Sequence, residues 1–494
     1  MRFDLKKYFP PPRRLIAAVV SGVLLSLSFP PASLGPICFV ALIPVFLVVL
    51  RSDLRYRIHF QTGYAFGVAF FLTHLYWVVQ LIPASSLTVP WIMPLALVLI
   101  ALYLAVYPGV FFLVLPMITS RNPLVAIVVA PGLWACVELL RTGSEFGFPW
   151  GLIGYALSTR PELIQSASVS GIYGLGALVV LINVVWASAV LARAQRTRIT
   201  LFVVGALVFV MNPVLGSRAM KAYPESVEGG SRVTMIQPNV DLELKWKKSF
   251  TDSTFNLIER LTREAAMLDP QLVIFPETCV PLYLRYNPLY QERIASLARE
   301  LNTGIYIGFL DGRYEGPDRT LNVFNSSGLF DPSGGFARYD KMHLLPFGES
   351  IPYGWRFRWL QKLDFGQANF SPGPAVAPIE SPAGSLGPLI CFEGIFPALA
   401  RRFALEGADL LVNITNDGWF GETPGPYQQT EMTILRAVEN RLYLLRSANT
   451  GVSMIVDPAG RMVVSLELSR EGFITANVRG RGEMSMYTRY GDTP

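Results

Sequence analysis

The chain has 494 residues, 51% of them hydrophobic and only 16% charged, with a formal net charge of +6 and a pI near 9.1. Soluble globular chains carry about 25% charged residues, so a large part of this one belongs in lipid. Residues 1–220 hold 15 Lys and Arg against 5 Asp and Glu, while the remainder holds 27 against 31, so the basic excess sits in the apolar part and a nucleic-acid partner is counted out.

In chain order, the first predicted elements are membrane spans. A helix crossing a bilayer needs about 20 apolar residues, and such runs lie at 15–33, 37–50, 124–140, 171–192 and 199–215. Two more fit between Gln61 and Ser120, which contains no Asp, Glu, Lys or Arg, divided near Pro83–Pro90; the total is seven. The 37–50 run is short enough to be re-entrant. The first run follows Lys6, Lys7, Arg13 and Arg14 like a signal peptide, but its length and the spans behind it favour an uncleaved anchor.

Basic loops stay in the cytoplasm. The N-terminus and alternate loops hold Arg2, Lys6, Lys7, Arg13 and Arg14, then Arg51, Arg55 and Arg57, then Arg121, then Arg193, Arg196 and Arg198; the opposite loops hold only Arg141 and Arg160. This asymmetry places everything after about residue 216 outside the cytoplasm. Residues 216–230 are polar and turn-rich, which reads as a linker between a membrane domain (1–220) and a second domain (221–494).

The second domain alternates strand-like runs, at Val233–Ile236, Leu272–Phe275, Ile305–Phe309, Leu389–Phe392 and Leu410–Ile414, with helical stretches at Thr251–Leu268 and Gln291–Leu301. The alternation predicts an α/β domain with its functional residues at strand ends.

Three residues there could carry chemistry. Cys391, in Gly-Pro-Leu-Ile-Cys-Phe-Glu-Gly, ends an apolar strand as the nucleophile of a strand-to-helix elbow does; taken alone, a cysteine is more often inert core. Glu277, in Leu-Val-Ile-Phe-Pro-Glu-Thr, is either a surface carboxylate or a half-buried general base. Cys279 is a rival nucleophile, placed close after Glu277. Lys341 stands beside His343, which is either a structural hydrogen-bonder or the partner of a Cys–His pair. The four cysteines form neither a disulfide framework nor a CxxC spacing, and three histidines without HExxH leave a metal short of ligands, so neither metal nor cofactor is expected. No GxSxG supports a serine hydrolase in the second domain.

Taken together, Phe-Pro-Glu (275–277), Asp-Lys-Met-His-Leu-Leu-Pro-Phe-Gly-Glu (340–349), Ile-Cys-Phe-Glu (390–393) and Asn-Ile-Thr-Asn-Asp-Gly-Trp-Phe-Gly (413–421) stand in the order of the nitrilase, or carbon–nitrogen hydrolase, superfamily. The multi-span first half, Gly-Phe-Pro-Trp (147–150) and the run from Gln428 to Gly451 resemble, within it, the apolipoprotein N-acyltransferases of bacterial envelopes.

The resemblance implies a multi-span α-helical membrane domain joined to an α-β-β-α sandwich, with Glu277 as base, Lys341 as the cation stabilising thiolate and oxyanion, and Cys391 as nucleophile. Glu349 and Glu393 match supporting positions. Trp246, Phe347, Phe392 and Trp419 match aromatic positions that line or gate the path of lipid, and Asn416 and Asp417 match a turn holding the active-site loop. Relatives commonly have Tyr where this chain has Phe392, so a hydroxyl is lost there. The implied reaction moves an acyl chain from the sn-1 position of a phospholipid through a Cys391 thioester to the α-amino group of a diacylglyceryl-cysteine on an apolipoprotein. The implied setting is a monomer in the bacterial inner membrane with its catalytic domain in the periplasm. The resemblance also implies a further span beyond Tyr-Gly-Asp-Thr-Pro (490–494), so truncation is expected there, with the neighbouring coding sequence continuing into an apolar run. The rival readings are a membrane-anchored amidase or nitrilase that hydrolyses a C–N bond, a receptor with a nitrilase-like domain, and a transporter, which lacks charged residues to line an ion path.

Overall fold

The computed structural model describes residues 11–51, 56–81, 92–119, 122–224, 227, 229–315, 320–354, 356–357, 359–360 and 368–492. The basic residues Arg2, Lys6, Lys7, Arg55 and Arg121, the divide at Pro83–Pro90 and the last two residues lie outside these.

The first half is helical: α1 (Pro12–Ser26), α2 (Cys38–Ala41), α3 (Ile43–Leu50), α4 (Tyr56–His74), α5 (Ile92–Leu104), α6 (Val106–Thr119), α7 (Pro123–Thr142), α8 (Pro161–Ile164), α9 (Ala167–Leu191) and α10 (Gln195–Met220). Among the described residues, four stretches are long and apolar enough to cross a membrane, namely Ile92–Thr119, Pro123–Thr142, Ala167–Leu191 and Gln195–Met220, while Gly35–Leu50 is a shorter apolar helix. The helix over the first predicted span stops at Ser26, ahead of Pro30 and Pro31. The polar stretch read as linker begins late, because α10 runs on through Pro213 and Gly216 to Met220.

The broken segment α2–α3 is secured by one buried amide. Asn183 of α9 accepts from the backbone N–H of Leu42 at 2.9 Å and donates to the Cys38 carbonyl at 2.8 Å, which satisfies groups that the break frees.

The second half holds two sheets. The first has β1 (Ser231–Gln237), β2 (Leu272–Ile274), β3 (Val280–Tyr283), β4 (Gly304–Glu315), β5 (Thr320–Phe330) and β6 (Phe336–Asp340), with a late strand, β13 (Gly472–Val478), against β1; the order is β13-β1-β2-β4-β5-β6, and β3 pairs with β4. The second contains β7 (Ile379–Ser381), β8 (Gly384–Ile390), β9 (Leu410–Thr415), β10 (Tyr443–Ala448), β11 (Ser453–Val456) and β12 (Met462–Leu466), in the order β12-β11-β10-β9-β8-β7. Helices α11 (Leu242–Lys245), α12 (Thr251–Ala266), α13 (Pro288–Leu301), α14 (Pro397–Leu405), α15 (Pro424–Asn440) and α16 (Met486–Tyr490) complete the half.

The period-2 alternation of strand side chains explains the layering. Val233, Met235, Leu272, Ile274, Tyr306 and Leu329 point from the first sheet into a core shared with Leu386, Val412 and Leu445 of the second. Their neighbours Ile236, Val273, Phe275, Ile305 and Ile307 point the other way, onto Phe255, Ile258 and Leu261 of α12 and Leu297 of α13. With α14 and α15 on the second sheet, the layers are α-β-β-α, as the resemblance implied.

Candidate active site

β1, β2 and β4 run parallel, as do β8, β9 and β10. Functional residues in α/β sheets gather beyond the carboxyl ends of such strands, and here β2 leads to Glu277, β8 to Cys391 and β9 to Asn416 and Asp417. Lys341 directly follows β6.

The strand predicted at Leu389–Phe392 stops earlier, at Ile390, because Cys391 turns into the left-handed region at φ 52° and opens a 3₁₀ turn over Cys391–Ile395. A side chain with a Cβ is strained there, and the strain turns the thiol out of the ladder into a partly exposed position. Phe392 behind it is buried.

Lys341 is 1% exposed and lies between two carboxylates, 2.9 Å from Glu349 and 3.6 Å from Glu277. Burial works against its charge, but Glu349 and Glu277 outweigh that and hold its pKa above the ordinary lysine value. Asn325 braces the same pair, donating to Glu277 at 2.7 Å and to Glu349 at 3.0 Å. The backbone N–H of Asn416 donates to the other Glu277 oxygen at 2.9 Å, and that of Leu345 to Glu349 at 2.7 Å.

Glu393 lies beneath the elbow, fully buried. It accepts from Tyr339 Oη at 2.8 Å, from the N–H groups of Met342 and His343 at 2.7 and 3.0 Å, and from that of Ile390 at 2.7 Å. One carboxylate thereby ties the segment just after Lys341 to the residue just before Cys391. The Cys391 thiol is pushed up to about 12, foremost by burial and then by Glu277; Lys341 pulls it down, Asp417 pushes it up, and a hydrogen bond with Thr415 pulls it down. The resting sulfur therefore keeps its proton at neutral pH and needs a base at the moment of attack.

The remaining expectations separate in space. Cys279 is buried in the outer core with α12 and α13, its thiol pushed up to about 12 by burial, and it is not at the elbow. His343 packs its ring on Phe396 at 4.7 Å. Trp246, Phe347 and Trp419 are exposed, whereas Asn416 and Asp417 are buried. Phe148 of the helical half reaches Phe392 at 6.4 Å, and Phe146 reaches Phe347 at 6.2 Å. Among the described residues, no group of three or more His, Cys, Asp or Glu is placed to hold a metal ion.

Sequence reasoning missed several members. Asn325 is one. Gln429 of α15 directs Nε2 at the Cys391 sulfur, at 3.9 Å. Arg446 of β10, fully buried, pairs with Asp417 at 2.8 Å and hydrogen-bonds Asn413, which in turn donates to the carbonyls of Leu389 and Cys391. A charged residue inside the apolar run Tyr443–Ala448 was the signal that could have found Arg446, since such a charge must be paired.

An elbow cysteine, a buried lysine and a carboxylate at the ends of a two-sheet sandwich, seated on apolar helices, define a membrane-borne carbon–nitrogen hydrolase domain. The carbon-nitrogen hydrolase family matches residues 232–482, and the apolipoprotein N-acyltransferase N-terminal domain matches residues 21–185. The apolipoprotein N-acyltransferase of Geobacter metallireducens is 38% identical over 98% of this chain and 92% of its own length. That of Bradyrhizobium diazoefficiens is 31% identical over 98% and 92%, and that of Brucella melitensis 31% over 94% and 89%. The chain belongs to the apolipoprotein N-acyltransferase family. Among solved structures, a nitrilase-superfamily amidase from Nesterenkonia AN1 is similar over 51% of this chain and 92% of its own, at 21% identity and a TM-score of 0.39.

Proposed function

We propose that this enzyme transfers a fatty acyl chain from the sn-1 position of a phospholipid, through a thioester on Cys391, to the α-amino group of the diacylglyceryl-cysteine that begins an apolipoprotein. The observation that carries the chemistry is Lys341, buried beside Glu277 and pulling the Cys391 thiol down.

In the first step the sulfur attacks the ester carbonyl while its proton passes to a Glu277 oxygen. The oxyanion forms facing the Lys341 ammonium, a preorganised charge that water does not screen. The C–O bond breaks, Glu277 returns the proton to the departing lysophospholipid oxygen, and the acyl group remains as a thioester. In the second step the neutral amine attacks that thioester, gives its proton to Glu277, and the C–S bond breaks as the thiol is re-formed; the product is an amide. The course is ping-pong. Glu349, through Asn325 and Lys341, and Glu393, through the elbow, keep the three groups in register. Exposed Trp246, Phe347 and Trp419 suit a lipid-facing mouth from which water is kept, so that transfer outruns hydrolysis.

The membrane half crosses the inner membrane about seven times, with its basic loops in the cytoplasm and the catalytic half on the periplasmic face, where both lipid substrates arrive by diffusion in the bilayer plane. The chain works as a monomer. Incubating purified protein with acyl-labelled phospholipid tests the chemistry. A hydroxylamine-sensitive label on Cys391 is expected, absent in Cys391→Ala, discharged quickly by a diacylglyceryl-cysteine peptide and slowly by water. A label on Cys279, or no label, overturns the mechanism; fast discharge to water favours a hydrolase.

A further inference from the structure

α15 carries two consecutive buried glutamines whose amides serve different halves of the molecule. Gln428 Oε1 accepts from the indole N–H groups of Trp77 at 3.0 Å and Trp150 at 2.7 Å, while its Nε2 donates to the carbonyls of Pro30 at 2.9 Å and His74 at 3.2 Å. A side-chain amide has two donor hydrogens and two acceptor lone pairs, so this one is saturated. Every partner belongs to the helical half: Pro30 follows α1, His74 ends α4, Trp77 follows it and Trp150 follows α7. Gln429, the next residue, donates to Cys391 Sγ at 3.9 Å and accepts from Arg446 at 3.4 Å.

The same indoles brace the elbow by a second route. Trp77 and Trp150 pack together at 5.2 Å, both meet Phe420 just after the Asn416–Asp417 turn, at 5.3 and 6.1 Å, and Phe148 stands between Trp150 and Phe392 at 6.0 and 6.4 Å. A buried amide with all its hydrogen bonds made has one low-energy position, since any shift strands polar groups away from water. Because Gln428 and Gln429 share one turn of a rigid helix, that position also fixes where the Gln429 amide meets the sulfur.

We propose that Gln428 is a positioning residue for the nucleophile: by tying α15 to Trp77 and Trp150 it sets the Gln429 amide against the Cys391 sulfur, so the thiol is primed only while the catalytic half is seated on the helical half. This rests on the reading of Cys391 as nucleophile. A donor aimed at sulfur favours the thiolate, and the loss of one ordinary hydrogen bond to it corresponds to about a tenfold change in thiolate population. The charged groups bearing on the sulfur, Glu277, Lys341 and Asp417, are themselves unchanged by the substitutions below, and Gln428→Ala leaves intact the Arg446 that pairs with Asp417 and also donates to Gln429.

The test is alkylation of Cys391 by iodoacetamide in the full-length protein in detergent, followed by mass spectrometry from pH 7 to 10. Gln428→Ala and Gln429→Ala are each expected to slow the reaction about tenfold at every pH, and the double variant to be no slower than the slower single, because both remove one contact. Trp150→Phe, which keeps the ring and removes one donor, shifts the rate in the same direction by less. Parent-like rates in Gln428→Ala, or single effects that multiply in the double variant, overturn the proposal. If Gln428→Ala loses its melting transition, the Trp77→Phe/Trp150→Phe pair decides by the same criterion. Alkylation needs no acyl donor, so a protein that behaves this way yet forms no thioester from phospholipid would sink the acyl-transfer reading and leave the coupling standing.

Discussion

Lys341 holds its charge where water scarcely reaches, and two carboxylates make that tolerable. Removing one partner of a buried ionic group leaves the others uncompensated, at a cost of about 3 kcal/mol. Lys341→Met therefore lowers the melting temperature in detergent, because Glu277 and Glu349 are left facing each other. It also removes the cation beside the oxyanion, and single-turnover labelling is expected to slow by at least about 100-fold. The thiol gives a separate readout. With its pKa pushed to about 12, its ionised fraction rises about tenfold per pH unit, so alkylation of the parent climbs through pH 10 without levelling. Lys341 pulls that value down, so Lys341→Met is slower at every pH; a plateau near neutrality in the parent would contradict this account.

At the scale of elements, the base is placed by a close approach between β4 and the segment after β2. A Cβ added to Gly308 would lie 2.6 Å from the Thr278 nitrogen and 2.7 Å from the Glu277 Cα, both backbone atoms that have no rotamer to yield. Lys245 of α11 grips the same turn from the other side, donating to the Glu277 carbonyl at 3.1 Å and to Thr278 Oγ1 at 3.3 Å. Gly308→Ala is expected to cost about 2 kcal/mol by overpacking and to move the carboxylate off Asn325. The labelling rate then falls more than alkylation does, since only labelling needs Glu277 as base; equal rates in variant and parent would show that the turn yields freely. Strand legibility divides in the same region. The wholly buried strands β2 and β9 read as apolar runs, whereas β5, interrupted by Asn322, Asn325, Ser326 and Ser327, showed no such signal.

For the whole molecule, the two halves are joined by buried polar contacts on α15. Arg436 pairs with Glu439 at 3.0 Å and donates to Tyr155 Oη at 3.1 Å, while Glu439 accepts from the backbone of Ile172 at 3.0 Å. Glu439→Ala strands a guanidinium inside this interface and is expected to destabilise the folded protein by about 3–5 kcal/mol, with a lower melting temperature and faster proteolysis between the halves; an unchanged melt would mean that the pair is dispensable. Orientation is open to a direct check. Met267, 80% exposed on the catalytic half, and Arg196, exposed in the first turn of α10, are predicted to lie on opposite sides of the membrane. A membrane-impermeant maleimide should label Met267→Cys in intact cells and Arg196→Cys only after lysis; the reverse pattern would invert the topology.

The sequence by itself determined the division into an apolar, basic half and an acidic α/β half, because hydropathy and charge are sums over residues that need no partners. It also pointed to Glu277, Lys341 and Cys391, whose motifs are short and local. Only the tertiary structure decided what holds them: Asn325 between two carboxylates, Arg446 beneath Asp417, and Gln428 joined to Trp150 across 278 residues of chain. A hydrogen bond depends on distance and direction between groups that chain order leaves free, so a buried amide or guanidinium shows its partner only once the fold has brought the two together.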